Sequence, residues 1–126
     1  MLKQPEVSEA MELLERADVI LHGIGTASEM MKQRRLAHAT QTKLIQEGAR
    51  GESFGAYYDL DGRCLMESTN VGVDLAKLKP TCRMIAAAAG ASKAEAIISI
   101  LRHTKHYLLV TDQGAAERML SILKNS

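Results

Sequence analysis

Met84-Ile85-Ala86-Ala87-Ala88-Ala89-Gly90-Ala91-Ser92-Lys93-Ala94-Glu95-Ala96-Ile97-Ile98 reads as a short apolar run, a glycine turn and a helix start. The S-x-x-E spacing of Ser92 and Glu95 is that of a capping box, which predicts a helix over residues 92–103. Ala94, Ile97, Ile98 and Leu101 then recur on one helical face. A strand over residues 84–89 precedes the turn. Lys93 is the odd residue, because the first helical turn has free N–H groups and the positive end of the dipole. A cation there forgoes roughly 0.3–1 kcal/mol relative to an acid. A phosphate shared between Lys93 and the helix N–H groups would restore it. The alternative is an ordinary solvated lysine.

The same strand-turn-helix pattern occurs on both sides of this stretch. Upstream, Pro5 suits the first position of a helix that carries Val7, Ala10, Met11 and Leu14 on one face. Asp18-Val19-Ile20-Leu21-His22 follows as a strand whose contiguous apolar residues predict cover on both faces. Gly23-Ile24-Gly25-Thr26 is its turn. Thr26 and Glu29 form a second capping-box pattern, so a helix begins at Thr26. Another helix is expected over residues 39–47, stopped by Gly48. Downstream, residues 107–111 make a third contiguous apolar strand, and Asp112 caps a last helix with Ala116, Met119, Leu120 and Leu123 on one face.

Between these units lies a different pattern. Residues 49–53 read as a lead-in to a strand at residues 54–58. Asp61-Gly62 is a two-residue turn signal, and residues 63–67 form the return strand. Residues 71–78 read as a connection with one helical turn, stopped by Pro80. The fold class that follows is α/β: a Rossmann-like, largely parallel sheet with helices on both faces and an inserted β-hairpin. Only three strands look buried, a thin sheet that points to a partial domain or to a homo-oligomeric partner at an edge.

Composition narrows the function. The chain has 126 residues, 46% of them apolar, and 16 basic against 15 acidic residues give a net charge of +1. That balance gives no electrostatic case for nucleic-acid or membrane binding by this chain. The two cysteines, Cys64 and Cys82, have no metal or redox spacing and read as free thiols in the cytoplasm. No signal peptide or membrane-length apolar run is visible. His22, His38, His103 and His106 form no recognisable metal set, with His103 and His106 expected at the surface. No cofactor is implied.

Gly23-Ile24-Gly25-Thr26, Gly90-Ala91-Ser92-Lys93 and Thr111-Asp112-Gln113-Gly114 are the candidate binding junctions. In an open parallel sheet all three lie at the carboxyl edge, where ligands bind. Small residues there expose N–H groups to an anion, although glycines also serve simply to make tight turns. The first junction is not a dinucleotide fingerprint, since Ser28 stands where the third glycine belongs. Arg34 and Arg35 offer guanidinium groups to a phosphate, and Glu52 offers a carboxylate to sugar hydroxyls. The competing account is a solvated basic helix end.

Four blocks, in order, resemble the effector-binding domain of SorC-family bacterial transcriptional regulators. They are Ala17-Asp18-Val19-Ile20-Leu21-His22-Gly23-Ile24-Gly25, then Glu52-Ser53-Phe54-Gly55 with Asp61-Gly62, then Ala89-Gly90-Ala91-Ser92-Lys93-Ala94-Glu95-Ala96-Ile97, and Leu109-Val110-Thr111-Asp112-Gln113-Gly114-Ala115-Ala116. The resemblance implies a fold similar to ribose-phosphate isomerase and glucosamine-phosphate deaminase. It also implies a sensor of sugars or sugar phosphates, contacted by Arg34 (or Arg35), Glu52 and Lys93. Gly23, Gly25, Gly90 and Asp112 complete the expected site. Such regulators begin with a helix-turn-helix, and their effector domain opens with a glycine-threonine-rich loop. Neither occurs in this sequence, so the expectation is the C-terminal portion of an effector domain, with DNA reached only through a domain outside this chain. An isomerase- or deaminase-like enzyme with Glu52 or Asp112 as base is the alternative, and an oligomerisation fragment that binds nothing is a third.

Overall fold

Two sheets share one helix. The computed structural model describes residues 4–67 and 74–125. Helix α1 (Pro5–Glu15) starts on Pro5 and leads into β1 (Val19–Gly23). The two-residue β2 (Gly25–Thr26) follows, and the Thr26 hydroxyl accepts from the Glu29 N–H at 3.3 Å to cap α2 (Ala27–Gln33). Helix α3 (His38–Gln46) ends before Gly48, whose φ of +87° gives the stop expected of glycine. Then come β3 (Ala49–Ser53), β4 (Ala56–Asp59) and β5 (Cys64–Met66). A single 3-10 turn at Leu75–Lys77 leads to β6 (Arg83–Ala87). A second 3-10 turn, Ala91–Lys93, opens α4 (Ala94–His103), and β7 (Leu108–Val110) and α5 (Gln113–Lys124) complete the chain.

Strands β1, β6 and β7 pair in parallel in the order β1-β6-β7. The expected inserted hairpin is instead a second, antiparallel sheet, in the order β2-β3-β4-β5. Residues 49–53, read as a lead-in, form one of the two interior strands of that sheet. Phe54-Gly55, read as the start of a strand, is the two-residue turn between β3 and β4. Both turn residues have positive φ, +53° and +82°, as a tight hairpin turn of the primed type demands. Weak β propensity in Ala-Arg-Gly-Glu-Ser hid the strand, and packing rather than propensity creates it.

Helix α4 lies against both sheets, and its Ala94, Ala96, Ile97, Ile98, Ser99 and Ile100 are buried. One core gathers Ile97 and Ile100 of α4 with Ile24, Tyr58, Ala86 and Ala115. A second, on the other side of β3 and β4, gathers Ala27, Met31, Leu44, Ala49 and Tyr57. Gly51 permits the α4–β3 contact, since a Cβ there would sit 2.9 Å from the Ala96 carbonyl oxygen.

The contiguous apolar residues of β1 predicted cover on both faces, and the second face lacks it. Val19 and Leu21 are 52% and 71% exposed, and Leu108 and Val110 of β7, on the far side of β6, are about half exposed. The cause is the placement of the helices. Helices α4 and α5 pack on the face that carries Ala86 and Leu109, and α1 buries none of its residues. Cys64 and Cys82 are free thiols, as expected. Among the described residues no helix is long and apolar enough to cross a membrane.

Candidate functional site

Glu52 is the charged residue that the fold spends most to place. It sits on interior strand β3, is 4% exposed, and pairs in register with Gly25 on one side and Tyr57 on the other. Its Oε1 accepts from Arg34 Nη2 at 2.9 Å and from the Gly55 N–H at 2.8 Å. A buried carboxylate needs such partners, because unpaired it would cost several kcal/mol, on the order of 3–5. Arg34 is placed by the end of α2, where it forms the C-cap. Glu52 Oε2 faces the backbone of Gly25, and a Cβ on that glycine would lie 3.6 Å from it and collide with Met30. Of the pair Arg34 and Arg35, the first joins the carboxylate, while Arg35 adopts a φ of +52° past the helix end.

A second cluster forms around Asp112. Its Oδ1 accepts from the Ala115 N–H at 2.9 Å, capping α5 as expected, and from the Gly90 N–H at 3.1 Å. Those two amides hold the Asp112 carboxyl below the usual carboxylate range. One side chain therefore ties the third junction to the second. Gly90 has a φ of +104°, a conformation that suits glycine.

The capping box expected at Ser92 does not form. Neither Ser92 nor Lys93 caps a helix through its side chain, and the Lys93 N–H instead closes a 3-10 turn on the Gly90 carbonyl. Glu95, which would complete the box, bridges to Arg50 at 2.6 Å across the surface of β3. Lys93 is half-buried at the end of that turn, just before α4. The turn packs on α5 and touches β2, so the three junctions do converge. Gly23 ends β1 in an exposed position.

Sequence reasoning missed Tyr57 and Gly55. Tyr57 is 1% exposed, and its hydroxyl is pushed up by burial and by the Glu52 charge, with Arg34 opposing. The Phe54-Gly55 pair between two strand-length segments was the available signal for the turn that presents the Gly55 N–H. Beside the junctions, a groove of about 590 Å³ is lined by Thr26, Ser28, Arg50, Ser92, Glu95 and Arg118. Arg34, Glu52 and Lys93 do not line it; Glu52 pairs with Gly25 of β2 and bonds Arg34, and the turn that ends at Lys93 touches β2. Among the described residues no group of three or more His, Cys, Asp or Glu side chains could hold a metal ion.

The family model described as "Putative sugar-binding domain" matches residues 1–121. Central glycolytic genes regulators of Priestia megaterium and Bacillus subtilis are 33% and 34% identical over 93% and 94% of this chain. The chain spans 34% and 35% of their lengths. A SorC family transcriptional regulator from Enterococcus faecalis superposes with a TM-score of 0.86 at 31% identity, over 94% of this chain and 49% of that one. The sorbitol operon regulator SorC from Klebsiella pneumoniae shares the fold, with a TM-score of 0.80 at 21% identity over 94% of this chain and 40% of that one.

Proposed function

Because the chain belongs to the sugar-binding domain family found in transcriptional regulators, we propose that it is a non-catalytic effector module for a sugar or phosphorylated sugar. The effector sits at the carboxyl edge of the parallel sheet, around β2. Glu52 Oε2 accepts from sugar hydroxyls while Oε1 stays tied to Arg34 and Gly55. Lys93 and Arg34 supply positive charge to a phosphate, and the N–H groups near Gly25 and Gly90 close on it. Asp112 orients the Gly90 turn rather than touching the effector. The observation that carries this reading is the buried Glu52 carboxylate, held by an arginine and a main-chain amide with its second oxygen turned to a glycine. Occupancy then shifts the affinity for DNA of a separate helix-turn-helix region in the cytoplasm.

Calorimetric titration of the chain with ribose 5-phosphate, glucosamine 6-phosphate and the unphosphorylated sugars tests the site. Binding that Glu52→Gln weakens at least tenfold, with Lys93→Ala selectively weakening the phosphorylated ligands, supports the assignment. Equal affinity in Lys93→Ala removes Lys93 from it, and turnover of either sugar phosphate replaces it with an enzyme. For the exposed face of β1 and β7 we propose a second copy of the chain as occupant. Val19 and Leu21 of β1 and Leu108 and Val110 of β7 are exposed on that face, on either side of Ile85 of β6, with Arg83 at its edge. A monomer by sedimentation at micromolar concentration contradicts that.

A further inference from the structure

His22 and His106 meet beneath the β3–β4 turn, immediately before the first junction. His22 is on β1, His106 lies between α4 and β7, and their Nε2 atoms are 2.7 Å apart. The opposite nitrogens are already engaged. His22 Nδ1 lies 2.9 Å from the Gly23 carbonyl oxygen, and His106 Nδ1 lies 2.8 Å from that of Thr104. A carbonyl oxygen only accepts, so each Nδ1 carries a hydrogen. Two neutral rings in this arrangement point lone pairs at each other. One additional proton turns the repulsion into an imidazolium–imidazole hydrogen bond of charge-assisted length. A metal fits less well: two nitrogens on a tetrahedral zinc stand about 3.3 Å apart for bonds of about 2.05 Å. No third or fourth ligand joins them among the described residues.

We propose that His22 and His106 share a single proton, and that its gain and loss near neutral pH positions the Phe54-Gly55 turn.

The contacts of the pair give the mechanism. The Phe54 ring lies 4.7 Å from the His22 ring, and Ser53 Oγ is 3.4 Å from His22 Nδ1. Phe54 has a φ of +53°, uncommon for a bulky residue, so the turn needs holding. Histidine holds it from below, and Glu52 holds Gly55 from above. Two other titratable groups line the small cavity around the pair, Tyr58 of β4 and His103 of α4. The Tyr58 hydroxyl is pushed up to about 12, first by burial and then by Cys64, Glu67 and Glu52, so it remains neutral. His103 turns its Nδ1 to the Gly62 carbonyl at 2.9 Å and packs its ring on Tyr58. Among the described residues no carboxylate lines this cavity. Burial depresses the His22 imidazole, the Gly23 carbonyl opposes this, and charge on His106 depresses it further.

The sign of the pH effect follows. In the unfolded chain both rings titrate near 6.5. The hydrogen bond between the Nε2 atoms favours the first proton against the burial that by itself depresses His22, and a second proton meets both burial and a neighbouring charge. Stability then rises as the pH falls from about 8 to about 6.5, and declines below that as the unfolded chain binds the second proton.

Thermal melts between about pH 5 and pH 8.5 test this in the 126-residue chain, with His106→Gln and His103→Gln beside it. The glutamine amide donates to His22 without titrating. A stability maximum in the wild type that persists in His103→Gln and flattens above about pH 6.5 in His106→Gln supports the proposal. Identical wild-type and His106→Gln profiles overturn it. If His106→Gln fails to fold, imidazole ¹⁵N spectra of the wild type decide. Two protonated Nδ1 sites and one shared Nε2 proton support the pair, and a neutral ring protonated at Nε2 overturns it. Added zinc chloride that raises the melting temperature only while His106 is present assigns a metal instead and overturns the shared proton. The amide resonance of Gly55 must move with the same midpoint, and if it ignores the titration the control of the turn is overturned. None of these measurements uses a sugar, so they stand or fall apart from the effector assignment.

Discussion

Strand β3, Ala-Arg-Gly-Glu-Ser, is buried at four of its five positions, whereas β1, Val-Ile-Leu-His-Gly, is buried at one of five. Side-chain polarity would rank them the other way. What separates them is the number of faces that other elements cover. α2 and α3 pack against one side of β3, and α4 packs against the other. β1 has its covering helices on one side only, so alternate residues, Val19 and Leu21, stay in solvent. An apolar run states what a strand can bury, and the neighbouring elements decide what it does bury.

Tyr57→Ala strikes the finished sheet hardest. It empties the larger part of the core between β4 and the α2–α3 pair, and it is expected to cost about 3–5 kcal/mol by denaturant melts. A loss below 1 kcal/mol would mean that this core is loosely filled. Gly51→Ala comes next, at about 1–3 kcal/mol, because the new methyl meets the Ala96 backbone rather than a mobile side chain. Normal stability in this variant would show that α4 slides freely on β3. Asp112→Ala has a smaller effect, concentrated at the start of α5 and the Gly90 turn. Its folded pKa is depressed, so the Asp112 contribution is present above the ordinary value of 3.8 and is lost as the pH falls through the folded value. Acid melts of the wild type should show that loss, and those of Asp112→Ala should lack it. Leu21→Ala is the least in the isolated chain, within about 0.5 kcal/mol at dilutions that keep the proposed dimer apart, since the side chain is then in water. A cost near that of Tyr57→Ala would show that the outer face is covered in solution, and the contrast between the sheets would disappear.

Local chemistry was readable from the residues. Thr26 and Asp112 cap the helices they were expected to cap, Asp61-Gly62 makes its turn with Gly62 at a φ of +87°, and the helix that begins near Lys93 is the best buried of the five. Long-range pairing was not readable. Arg34 and Glu52 are 18 positions apart and were singled out as separate charges, not as partners. His22 and His106 are 84 positions apart, and His106 was expected at the surface. The Ser92 box failed for a related reason: Glu95 found Arg50 on another element, and a tertiary ion pair displaced a local motif. Of the expected effector residues, Arg34, Glu52 and Gly25 stand together, Gly90 and Asp112 stand together, and Lys93 lies at the turn between the two groups.

Helix α4 touches the antiparallel sheet and α5 and shares a core with Ala86 and Leu109 of the parallel sheet, so it has no independent way to open. Amide exchange makes that visible. The amides of Ile97–Ile100 can trade hydrogen for deuterium only when both sheets come apart, which sets their protection at the level of the whole molecule. Those of α1, which buries nothing, exchange through local fraying. The last deuterium to enter therefore marks the helix that begins immediately after Lys93.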